Sequence, residues 1–304
     1  MTSLVPDLPP GYRSRPATVD DVPAIHALVL ECEREVYGRG RSDVGAVAAD
    51  LARPGLVAES DTVLVLDQGG RVVARAWVDR RSEVDVRPGH RGRGLGAALL
   101  GWTVARARQA GVDRVVQTVP DADTGAVALL RANGYESLVT AWLLEVDLSV
   151  EPSVPEPPVG VTVRCFQAGD EVAAHLLVQD AFDEWQERRQ SYEEWAAHTV
   201  ERPAFAPGRS ALAFAGDQLV GAALALDVPG TGEGYVEQVA VRRDHRGRGI
   251  ARLLLRHTFR AFRHAGLDAC TLWTHSDTGA LDLYLRVGMT VRHSSTVFRK
   301  ELGA

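Results

Sequence analysis

The chain has 304 residues, 45% of them apolar, which is length for two domains of ordinary size and enough apolar content for packed cores. A balance of 34 basic against 40 acidic side chains gives a net charge of −6, which argues against a broad nucleic-acid or anionic-membrane surface. The three cysteines, Cys32, Cys165 and Cys270, are far apart and lack metal-ligand spacing, so reduced thiols and no metal are expected.

Residues 1–10 are proline-rich and lack a charged start followed by an apolar run. With no secretory signal and no apolar run of membrane-spanning length, a cytoplasmic protein is expected. A short strand is predicted near Arg13, then amphipathic helices, then β-type runs over 62–66 and 71–78. An apolar strand, Val84-Asp85-Val86, leads into the turn Arg91-Gly92-Arg93-Gly94-Leu95-Gly96 and a helix rich in small residues. A strand over 114–119, a short helix and two closing strands follow. The proline-rich run near 149–158 reads as a semi-stiff linker.

The same order then returns. A strand near Val161 and amphipathic helices precede β-type runs over 210–215 and 218–226. Val239-Ala240-Val241 leads into Arg246-Gly247-Arg248-Gly249-Ile250-Ala251, and the next helix places Ile250, Leu253, Leu254 and Ala261 at helical spacing. A strand over 269–274, a short helix and two closing strands complete the copy. Single residues repeat too: Arg15, Asp21 and His26 return as Arg164, Asp170 and His175, and Asp123-Thr124-Gly125-Ala126 returns as Asp277-Thr278-Gly279-Ala280. The expectation is a mixed α/β chain of two tandem domains, 1–148 and 160–304, joined by 149–159.

Each turn joins a strand to a helix N-terminus. Backbone amides and the helix dipole then point at one spot, which suits a phosphate. Neither copy has the spacing of a dinucleotide fingerprint, and the Gly-Lys-Ser/Thr of a nucleoside-triphosphate loop is absent. What remains is Arg-x-x-Gly-x-Gly/Ala after a Val-x-Val strand, with Ala280, Tyr284 and Gly288 downstream. This pattern resembles the GNAT superfamily of acyl-CoA N-acyltransferases, over essentially the whole chain. The tandem form, with Phe182-Asp183-Glu184-Trp185 early in the second copy, is similar to the mycothiol synthase branch.

The resemblance implies, for each copy, a splayed mixed β-sheet flanked by helices, and acetyl-CoA as co-substrate. It implies that Val239, Ala240 and Val241 pair with pantetheine while Arg246, Gly247, Arg248, Gly249, Ile250 and Ala251 hold the pyrophosphate. Val84, Val86 and Arg91, Gly92, Arg93, Gly94, Leu95, Gly96 are the corresponding set in the first copy. The family's pantetheine-contacting Asn position is taken by Asp277, and by Asp123 in the first copy; an N-cap role is the alternative for both.

Acyl transfer to an amine needs a proton acceptor, because a free primary amine is mostly ammonium at neutral pH. Glu237 matches the position often assigned as general base, with Glu233 in reserve. Simple alternation puts Glu233, Glu237, Val239 and Val241 on one face, although the family bulges there. Tyr284 matches the general acid that hydrogen-bonds the departing sulfur. The first copy has Ser82 and Leu130 at these two positions, so chemistry is expected in the second copy only. His90, His245, Arg93, Arg248, His257, His275 and the Asp183-Glu184-Trp185 run are weaker candidates for ligand contacts.

The resulting expectation is an N-acetyltransferase acting on a small-molecule primary amine, as a monomer or homodimer, with no nucleic-acid or membrane partner. The alternatives are a non-catalytic acyl-CoA sensor and a transferase for protein or peptide amines.

Overall fold

The computed structural model describes residues 4–40, 42–53, 55–79, 81–184, 188–228 and 231–303. The first stretch runs β1 (Arg13–Arg15), α1 (Val22–Tyr37), α2 (Val44–Leu51), α3 (Ala58–Asp61), β2 (Thr62–Leu66), β3 (Val72–Val78), β4 (Ser82–Val86), α4 (Leu95–Gln109), β5 (Arg114–Pro120), α5 (Thr124–Ala132) and β6 (Glu136–Asp147). The second runs β7 (Val161–Cys165), α6 (Glu171–Phe182), α7 (Tyr192–His198), β8 (Ala211–Ala215), β9 (Gln218–Val228), β10 (Glu233–Val241), α8 (Ile250–His264), β11 (Ala269–His275), α9 (Leu281–Arg286) and β12 (Thr290–Glu301).

The chain forms two compact units. One holds the residues up to Thr140 and those from Ser294 on; the other holds Ala141–His293. Both borders fall inside strands, β6 and β12. Neither strand contains a Gly or Pro, so nothing breaks it, and each copy ends in one strand of 12 residues instead of the expected two. The proline-rich run after β6 belongs to the second unit.

In the first unit the strand order is β1-β2-β3-β4-β5 and then β12, whose Ser295–Glu301 segment pairs antiparallel with β5. Among the described residues of this unit, only β4 and β5 run parallel, and they pair at a single position, Ser82 with Gln117. Helices α1 and α2 cover one face through Ile25, Leu28 and Val47 against Leu64 and Trp77. Helix α4 covers the other through Leu95, Leu99 and Trp102 against Val63, Val65 and Val73.

The second unit repeats this plan with the order β6-β11-β10-β9-β8-β7. Strands β10 and β11 run parallel but pair only from Glu233 to Tyr235, against Ala269 to Thr271. Trp195 and Leu177 pack on the face bearing Leu212, Leu224 and Ala240. Phe259 and Phe262 of α8 pack on the opposite face with Val236 and Ala225. The repeat extends to local contacts. Arg15 forks onto Asp21 at 2.6 Å through both nitrogens, and Arg164 does the same to Asp170 at 2.6 and 2.7 Å. His26 and His175 each meet a backbone carbonyl at 3.0 Å, of Ser42 and Gln190.

Helix α8 comes close enough to β10 to require glycine. A Cβ at Gly234 would meet the Phe262 ring at 2.5 Å. Gly234→Ala is expected to lower unfolding stability by about 1–3 kcal/mol through overpacking. Urea denaturation checks this, and wild-type stability would mean that α8 is free to shift.

Candidate active site

In each unit the parallel strand pair opens into a cleft, because pairing stops while both strands continue. In the second unit the cleft lies between β10 and β11 beyond Tyr235. It forms a cavity of about 680 Å3. The cavity brings together most of the residues expected at the site: Glu237, Val239, Ala240, Val241, Arg246, Gly247, Gly249, Ile250, Ala251 and Tyr284 all line it. Arg248 and Asp277 do not. Arg248 is exposed on the turn, and Asp277 lies 3.9 Å from His275 Nδ1.

The turn has the conformation an anion cradle needs. Gly247 and Gly249 have φ of 74° and 81°, a region that other residues enter only with strain. The space a Cβ would occupy on either is open. Helix α8 starts directly after Gly249, so its first amides lack intrahelical partners and face the turn. The Arg246 side chain is structural: Nε donates to the Val241 carbonyl at 3.2 Å and Nη2 to the Ala181 carbonyl at 2.9 Å. His245 is engaged by Asp244 at 2.9 Å, and half-buried His257 is held below the usual imidazole range mainly by burial.

Glu237 departs from simple alternation. The β9–β10 register shifts between Val236 and Gln238, so Glu237 is the extra residue of a bulge. Val236 packs toward Phe259 and Phe262, and Val239 toward Ile250 and Leu254. Ala240 packs toward Trp195, and Gln238 accepts a hydrogen bond from Trp195 Nε1 at 2.9 Å. The bulge thus turns Glu237 toward Arg202, whose Nη1 is 3.7 Å from its Oε2, and away from the face that carries Val239. Burial pushes the Glu237 carboxyl above its ordinary value, against the pull of Arg202 and His198. The group is therefore a stronger base than an exposed glutamate and remains 27% exposed in its side chain.

Glu233 is occupied otherwise. Arg292 grips both its oxygens, at 2.8 and 3.1 Å, and also donates to Glu145. Tyr284 is only 8% exposed and belongs to the α8 core, yet it lines the cavity. Its hydroxyl forms no hydrogen bond within the described residues, and burial pushes its pKa up to about 12. Three neighbours were not evident from the sequence. Tyr235, beside Glu237, is likewise pushed up to about 12, chiefly by burial. Arg202 and Arg292 reach the site from distant segments, so no local spacing could reveal them.

The first unit has a cavity of about 830 Å3 in the same place. Val84, Val86, Arg91, Gly92, Gly94 and Gly96 line it, together with Ser82 and Leu130; Arg93 and Leu95 do not. Leu95 is a core residue. Gly92 and Gly94 keep the positive φ, 72° and 88°, but this turn is more crowded. A Cβ at Gly94 would be 3.3 Å from Pro9, and one at Gly96 would be 2.8 Å from Leu129. Arg91 pairs with Asp123 at 3.2 Å, and Asp123 Oδ1 also caps α5 by accepting from the Ala126 amide. His90 meets the Tyr12 hydroxyl. In the second copy a 3-10 turn over Ser276–Thr278 precedes α9 and Asp277 caps nothing. Asp183 pairs with Arg189, Glu184 lies 3.5 Å from Arg243, and Trp185 falls outside the described residues.

The model of the acetyltransferase (GNAT) family matches twice, over residues 22–135 and 172–289. A mycothiol acetyltransferase of Geodermatophilus obscurus is 31% identical over 276 residues, covering 85% of this chain and 82% of the relative. The crystal structure of a GCN5-related N-acetyltransferase from Sphaerobacter thermophilus superposes with a TM-score of 0.76 at 30% identity, covering 98% of each chain. A tandem GNAT protein from the clavulanic acid biosynthesis pathway shares the fold, with a TM-score of 0.66 at 20% identity over 96% of this chain and 99% of its own.

Proposed function

Because the chain belongs to the acetyltransferase (GNAT) family, we propose that it moves an acetyl group from acetyl-CoA to the primary amine of a small molecule, in the second unit. One observation carries this reading: the second cavity holds Glu237 and Tyr284 beside an open Gly turn, while the first holds Ser82 and Leu130 beside a crowded one.

The residues fit the coenzyme. The amides following Gly247 and Gly249 suit a diphosphate, and the unpaired stretch of β10 leaves backbone groups free for pantetheine amides. Glu237, raised by burial, takes a proton from the incoming ammonium. Tyr284 donates a hydrogen bond to the sulfur as it departs. A phenol at about 12 facing a thiol near 8.5 disfavours full proton transfer by about three orders of magnitude, so donation alone is its role.

Steady-state kinetics with thiol detection test the division of labour. Gly249→Asp puts a carboxylate into the proposed diphosphate cradle and should raise KM for acetyl-CoA about tenfold or more, while Gly94→Asp leaves it within about twofold. The reverse pattern would move the chemistry to the first unit. The acceptor panel consists of small primary amines, headed by the precursor amine of mycothiol, because curated relatives are named mycothiol acetyltransferase. A peptide with a free N-terminus belongs in the panel too, and preferred turnover of it would replace the small-molecule reading.

A further inference from the structure

The first unit's cavity contains polar groups that acetyl transfer in the second unit does not use. On the face covered by α1 and α2, β4 presents Glu83 and Asp85, with Asp50 of α2, whose one oxygen is held by Arg53, beside them. Arg75, 6% exposed, stands between the two β4 carboxylates. It donates to Asp85 at 2.6 Å and to Glu83 at 2.9 Å, with its guanidinium 3.9 Å from the Trp77 ring centre. Among the described residues it is the one cation paired with either carboxylate. Two carboxylates on one buried guanidinium leave uncompensated negative charge, on side chains that are 41% exposed for Glu83 and 27% for Asp85. Burial, then Asp85 and Asp50, push the Glu83 carboxyl up against the pull of Arg75.

A second observation comes from the other strand of the cleft. Gln117 of β5 stands where β11 has Leu272, and Leu130 stands where α9 has Tyr284. The first unit has thus moved its polar group from the helix to the strand. Gln117 lines the cavity, is 5% exposed, and its Oε1 is buried with no hydrogen-bond partner. A buried acceptor without a donor is unfavourable and marks a place where a ligand's donor would be welcome. Ser82, 3% exposed, is its neighbour across the single β4–β5 pair.

We propose that this cavity is a second binding site, for a small aliphatic amino alcohol: the ammonium seats among Glu83, Asp85 and Asp50, and the hydroxyl donates to Gln117 Oε1. At about 830 Å3 the cavity is ample for a short chain joining the two ends. The proposal concerns binding in the first unit and is independent of where acetyl transfer occurs.

Ligand-observed NMR titration of the full-length protein, without acyl donor, tests it with three probes: terminal aminopentanol, pentylamine and pentanediol. Aminopentanol should bind about tenfold tighter than the diol, which lacks the charge, and about threefold tighter than pentylamine, which lacks the hydroxyl. Gln117→Leu installs the residue β11 carries, and should reduce aminopentanol to the affinity of pentylamine without changing pentylamine itself. Asp50→Asn should weaken both amines and spare the diol, with circular dichroism confirming the fold. Absence of binding, equal affinity for amine and diol, a hydroxyl preference that survives Gln117→Leu, or amine affinities unchanged by Asp50→Asn would each overturn the proposal.

Discussion

Glu237→Gln is expected to lower kcat/KM about a hundred- to a thousandfold, the scale of losing a positioned general base. It should also abolish the acidic limb of the pH–rate profile. Burial holds this carboxyl above its ordinary value, so activity is expected to rise with pH in a range above that of exposed glutamates. The same shift has an opposite consequence for stability. An acid whose folded pKa lies above its unfolded value favours folding while protonated, and that contribution is lost as pH rises through the folded pKa. The ionised form of Glu237 is therefore a burden on the fold, moderated by Arg202 and by partial exposure. The Gln variant should melt no lower than wild type, with a margin that grows as pH rises. Low activity with a raised melting temperature identifies Glu237 as a group kept for chemistry. Low activity with a lowered melting temperature would assign it a structural role.

Tyr284→Phe is expected to lower kcat about ten- to a hundredfold, with KM for acetyl-CoA little changed, because a hydrogen bond to the departing sulfur strengthens as charge develops there. Phe keeps the ring in the core that Tyr284 shares with Phe259 and Val287, so melting should be nearly unaffected. Since burial holds the phenol at about 12, the wild-type alkaline profile should show no loss of rate from this group below pH 11 or so. Equal rates for wild type and Phe would leave Tyr284 as a core residue, as Leu130 is in the first unit.

Much of this architecture was legible in the sequence because its signals are local. Gly247 and Gly249 need positive φ within a four-residue turn, and Gly92 and Gly94 repeat the requirement. The Arg164–Asp170 fork spans six positions and recurs as Arg15–Asp21. What escaped the sequence depends on pairing between distant segments. The direction of Glu237 follows from a bulge that exists only because β10 pairs with β9 out of step. The grip of Arg292 on Glu233 joins residues 59 positions apart. Unit borders within β6 and β12 were hidden for the same reason: each strand reads as the end of its own copy, while its partners are set by tertiary pairing. The crowding of the first turn by Pro9 and Leu129 was hidden in the same way.

The most direct test is a crystal structure of the full-length protein soaked with acetyl-CoA. The diphosphate should lie on the backbone amides around Gly247 and Gly249, pantetheine along the unpaired part of β10, and the sulfur within hydrogen-bond reach of Tyr284 Oη. Acetyl-CoA bound in the first unit's cleft alone, or with its sulfur remote from both Glu237 and Tyr284, would contradict that placement.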